Sequence, residues 1–99
     1  MTLAPPTIRV TGQHIIDGKV EDCQKCPIAL ALLEQANMPG ARAEVSESEL
    51  NLYAPDGTYS AVTPQAAREF ILAFDECRGV RPFEFGVSWN FEPSDGGDS

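Results

Sequence analysis

The sequence predicts an α+β domain: an antiparallel sheet of four or five strands with two helices on one face, in the split βαβ order of a ferredoxin-like fold. Three stretches carry this expectation. The apolar run Ile28 to Leu33 follows Pro27 and reads as a helix that is apolar on nearly all sides. Ala67 to Cys77 repeats apolar residues at helical spacing on one side only. Phe83 to Phe91 alternates large apolar with polar residues, the period of a strand. A strand meander with a helical layer, wired differently, fits the same elements, and neither arrangement implies a function.

Taken in order, Thr7 to Thr11 alternates β-branched and polar residues and reads as a short strand, with Pro5 and Pro6 as an extended lead-in. Thr11 can cap a helical turn through Gln13-His14-Ile15-Ile16, closed by Gly18 in a left-handed conformation. A polar connection, Lys19 to Lys25, leads into the main helix. Either Asp22 or Cys26 can occupy its N-cap, with Asp22 favoured, and Pro27 suits the first turn because its missing N–H has no intrahelical partner there. Asn37, Pro39 and Gly40 end it.

Ala41 to Ser46 and Glu49 to Ala54 then alternate as strands, and Pro55-Asp56-Gly57 turns the chain back through Thr58 to Thr63. Thr63 as N-cap and Pro64 at the first position open the second helix, which Gly79 ends. Its apolar stripe is Ala67, Phe70, Ile71, Phe74 and Cys77; Arg68, Glu69, Asp75 and Glu76 take the other side. In the closing strand Phe83, Phe85, Val87, Trp89 and Phe91 share one face, which requires a central or well-covered position. The expected core joins Leu32, Phe70, Phe74, Phe85 and Val87. Residues 1–91 form a single domain in this reading, and 92–99 are a disordered acidic tail with no apolar residue to bury.

The chain has 99 residues and a net charge of -8. That balance repels nucleic-acid phosphates and anionic lipid heads and favours basic partner surfaces, so no direct nucleic acid is expected as a partner. No apolar run reaches the roughly 18–20 residues of a membrane helix, so no membrane is expected either. The first residues lack the basic-then-apolar pattern of a signal peptide, and three cysteines are too few for a disulfide framework. Both features lead to the expectation of a reducing cytoplasm.

Cys23-Gln24-Lys25-Cys26-Pro27 is the motif with chemical content. Two thiols at this spacing beside a helix N-terminus suit thiol redox chemistry, although oxidoreductases that use them place the pair after a strand, not after a polar loop. His14, Cys23 and Cys26, with Cys77 as a fourth ligand, are the candidate set for zinc. The competing reading makes Cys26 and Cys77 small buried hydrophobes and His14 a turn residue. No nucleophile motif or phosphate-binding glycine loop is present, so the expectation is no enzyme and no cofactor.

The pattern His14-Ile15-x-x-Gly18, Cys26-Pro27-Ile28-Ala29-Leu30-Ala31-Leu32, Phe74-Asp75 and Val80-x-Pro82-Phe83-x-Phe85 resembles a group of small uncharacterised proteins encoded by actinobacterial phages and prophages. The resemblance covers about residues 8 to 87. It implies a phage or prophage origin and expression in the host cytoplasm, and no particular activity. Together with the charge, it leads to the expectation of an accessory protein that binds and perturbs a host protein; a zinc-stabilised or thiol-redox module is the alternative. Trp89 and Phe91, beside the acidic tail, are the candidate binding residues.

Overall fold

The structure, a computed structural model, describes residues 5–20, 22 and 24–93. Its elements are β1 (Thr7–Val10), α1 (Gly12–Asp17), α2 (Pro27–Ala36), β2 (Arg42–Val45), β3 (Glu49–Ala54), β4 (Gly57–Val62), α3 (Gln65–Asp75), β5 (Phe83–Gly86) and β6 (Asn90–Pro93). The mixed helix-and-strand class and the antiparallel pairing agree with the sequence. The single sheet does not. Strands form a two-stranded sheet, β1-β5, and a four-stranded sheet, β2-β3-β4-β6, and the ferredoxin-like order is not the one observed.

The reason lies in the closing segment. What reads as one strand is two, separated by Val87, Ser88 and Trp89. The first half pairs antiparallel with β1, Ile8 opposite Phe85; the second pairs antiparallel with β4, Tyr59 opposite Phe91. The run from Phe83 to Pro93 thus hands its hydrogen bonding from one neighbour to another. β6 also takes Glu92 and Pro93 out of the expected tail; 94–99 lie outside the described residues.

α2 begins at Pro27, with Cys26 as its N-cap. Asp22 does not cap it. Its Oδ1 accepts instead from the Gln24 N–H at 3.0 Å, a local turn. Cys26 is extended (φ -71°, ψ 164°), and its Sγ accepts from the Ala29 N–H at 3.4 Å. Ile28, Ala29, Ala31 and Leu32 are wholly buried, as an all-round apolar helix requires. Asn37 closes the helix in the left-handed region, φ 52° and ψ 45°.

Gly18 is not left-handed. Its φ is -73°, and glycine matters there for another reason: a Cβ would lie 2.5 Å from Pro27 Cδ. α3 starts one residue later than expected, with Pro64 at the cap position. Thr63 is buried, and its hydroxyl donates to the Ser46 carbonyl at 2.8 Å, tying the end of β4 to the end of β2 rather than capping the helix. α3 ends at Asp75, and Cys77 takes a positive φ of 60°, so the chain turns before Gly79.

One hydrophobic cluster joins the helices and both sheets. Leu32, Phe70 and Phe85 belong to it as expected; Phe74 and Val87 are half-buried at its margin. Phe83 lies between Phe70 and Phe85, ring centroids 4.8 and 5.4 Å away, and joins α3 to the small sheet. Among the described residues β1 has one edge free of strand pairing, and α2 closes it. The Gln35 side-chain amide accepts from the Arg9 N–H at 2.8 Å and donates to the Arg9 carbonyl at 2.6 Å. A side chain here does what a further strand would do.

Candidate interaction surface

β6 lies at the end of the four-stranded order, so among the described residues one of its edges has no partner strand. Proline at 93 has no N–H to offer there, and Glu92 adds charge; both blunt the edge against strand addition. What β6 presents instead is an aromatic side chain. Alternation along β4 sends Gly57, Tyr59 and Ala61 inward, and register places Phe91 on the face of Tyr59. The Phe91 ring leans on Tyr59 with centroids 4.6 Å apart and planes at 43°. It remains 42% exposed, and every other aromatic side chain among the described residues is buried or half-buried.

Trp89 differs from its neighbour. Its ring is half-buried against the core and meets Tyr59 edge-on at 6.4 Å. Its indole N–H donates to the Pro5 carbonyl at 2.7 Å. A buried indole usually finds such an acceptor, and this one spends the Trp89 polar edge on the chain itself. Of the two candidate binding residues, Trp89 braces the cluster from behind and Phe91 faces solvent.

The other face of the four-stranded sheet is polar. Glu44, Asn51, Tyr53, Ser60 and Asn90 alternate with the inward residues. The Tyr53 hydroxyl donates to Glu44 Oε1 at 2.9 Å, and the Arg42 guanidinium carbon sits 5.9 Å from the Tyr53 ring centroid. The Glu44 hydrogen bond, followed by partial desolvation and the charges of Glu44 and Glu49, raises the Tyr53 phenol above its ordinary range, against the pull of Arg42. Because the neutral phenol is the favoured form, the stability it contributes holds below the ordinary phenol range and is lost as pH rises through the raised one. Absorbance titration is expected to show Tyr53 ionising late, and Glu44→Gln to bring that step to lower pH. An unmoved step in the variant would remove Glu44 as the cause.

The described candidate zinc residues, His14, Cys26 and Cys77, are not assembled into a site. His14 is buried on α1, with Nδ1 2.9 Å from the Thr11 N–H and Nε2 2.6 Å from Glu34 Oε1, so both ring nitrogens already have partners. Cys26 is buried at the start of α2. Cys77, expected on the apolar stripe, is exposed beyond the end of α3, because the helix stops at Asp75 and Cys77 itself takes the left-handed conformation. Cys23 lies outside the described residues. Among the described residues, no group of three or more His, Cys, Asp and Glu side chains could hold a metal ion.

A cleft of about 240 Å³ opens beside Cys26, Val45 and Ile71 and is rimmed with the carboxylates of Asp22, Glu47 and Asp75, in keeping with the acidic balance of the chain. No helix among the described residues is long and apolar enough to cross a membrane. No family model matches the chain, and no curated protein or solved structure matches it either.

The sequence singled out Trp89 and Phe91 as a pair. It missed Tyr59, on which both rings rest, and its only signal was the alternation of β4, where Tyr59 takes an inward position.

Proposed function

We propose that the protein is a phage-encoded accessory protein that binds and perturbs a host protein in the host cytoplasm, without catalysing a reaction. Phe91 is the apolar anchor in this reading, Tyr59 supports it and is itself met edge-on by Trp89, and the partner presents a basic surface. The observation that carries the reading is the exposure of Phe91 on a strand edge already blunted by Glu92 and Pro93. An aromatic ring already resting on another loses little freedom on binding, and such anchors dominate interface energies. The net charge of -8 supports steering toward a basic partner.

The test is affinity capture from an actinobacterial host lysate, followed by affinity measurement with the purified partner at low and high salt. Phe91→Ala, with melting checked first, is expected to weaken binding by about 30-fold or more. The wild-type affinity should fall as salt rises. Equal affinity for a folded Phe91→Ala variant would move the binding site elsewhere, and salt-independent binding would remove the basic-partner argument.

A further inference from the structure

We infer that His14 makes the N-terminal cap of α1 proton-sensitive. A capping box ordinarily takes Glu or Gln at the third helical position, whose side chain accepts from the N-cap N–H. In α1 that position is His14, so the acceptor is an imidazole nitrogen, and the side chain is only 9% exposed. The Thr11 N–H, 2.9 Å from Nδ1, requires a lone pair on that nitrogen. The hydrogen-bond network therefore assigns the ring proton to Nε2, where it is donated to Glu34 Oε1 at 2.6 Å. The neutral Nε2–H tautomer satisfies both contacts, and the other neutral tautomer satisfies neither.

A second proton goes to Nδ1 and sets two N–H groups face to face. The Thr11 hydroxyl oxygen, 3.1 Å from Nδ1, can accept from the new N–H, but the Thr11 backbone N–H is then left without its acceptor. The contact to the Glu34 carboxylate becomes an ion pair and persists. Acidification thus trades the cap for a firmer tie to α2: the first turn of α1 frays while its histidine stays anchored. The charged groups around the ring are Glu34 on α2 and Arg9 on β1, which lines the same groove as Thr11 and Glu34 and pairs with Glu84 at 3.8 Å. Asp17, on α1 itself, is bonded by Gln13. Histidine at this position also avoids the repulsion that a box glutamate would meet from Glu34. The inference does not depend on the role proposed for Phe91.

The experiment is NMR on the intact chain between about pH 8 and about pH 4, a span that covers imidazole titration. Ring nitrogen shifts should place the neutral proton on Nε2. Thr11 amide exchange, corrected for its intrinsic pH dependence, should rise about tenfold as the ring gains its second proton. His14→Gln keeps a standard box without a titrating group and should stay flat; Glu34→Gln leaves ring and cap in place and should still show the rise. A neutral proton on Nδ1, Thr11 protection that does not change as the ring titrates, the same rise in His14→Gln, or its absence in Glu34→Gln would each overturn the inference.

Discussion

Replacing Leu32 by Ala is expected to lower the stability of the fold by roughly 2–5 kcal/mol. Leu32 is wholly buried in the cluster that joins the helices to both sheets. Its neighbours on α2, Ile28, Ala29 and Ala31, are buried on the same short helix, so the helix cannot shift to fill the space without uncovering one of them. Such a loss is a large share of the roughly 5–15 kcal/mol that separates a native domain from its unfolded chain. Phe74→Ala should cost clearly less, because Phe74 is half-buried and rests on Phe70 at a centroid distance of 6.0 Å at the cluster margin. Denaturant unfolding of the two variants side by side measures the difference. Equal losses would mean that the margin is packed as tightly as the centre, contrary to the burial described.

Gly57→Ala is expected to cost about as much by a different route. A Cβ at Gly57 would lie 2.4 Å from the Glu92 carbonyl oxygen and 2.7 Å from a ring carbon of Phe91. The Phe91 ring could swing aside; a backbone carbonyl in a ladder cannot. Gly57 also has φ of 153°, a region that a side chain makes strained. Overpacking and backbone strain each cost roughly 1–3 kcal/mol, so the melting temperature should fall by about 10 °C or more. Amide exchange should show β6 losing protection first. A variant that melts like the parent with β6 still protected would show that the β4–β6 approach is looser than described.

Much of the fold was legible because the signals are local. Pro27 and Asn37 mark α2, Pro55-Asp56-Gly57 marks the β3–β4 hairpin, and Ala67, Phe70 and Ile71 mark the buried side of α3. The break between β5 and β6 was not legible. Side-chain alternation reports which face a residue takes, and Phe83, Phe85, Val87 and Trp89 do all pack on the core. It says nothing about which neighbour bonds the backbone, and that is where the run divides.

Cap positions slipped for a related reason. Thr63 has the right chemistry to cap α3, but the Ser46 carbonyl, brought near only by folding, takes its hydroxyl. Cys77 keeps the helical spacing of its stripe while the helix stops at Asp75. At the candidate surface, sequence placed Trp89 and Phe91 together; the Pro5 carbonyl that engages Trp89 is 84 residues away in the chain.

That pairing of distant segments sets an expected order of folding. The β2–β3–β4 meander closes through short connections and can form early, since neighbouring strands have little loop entropy to overcome. β1 has no strand partner until β5 exists, and Ile8 and Val10 stay uncovered on that side until the far end of the chain arrives. The first strand in sequence is therefore expected to be among the last to be fixed, which pulsed amide exchange during refolding would read as late protection of Ile8 and Val10. Its arrival brings residues 5–10 and 83–89 onto the same core, fastening a loop at Ile8–Phe85 and at Pro5–Trp89.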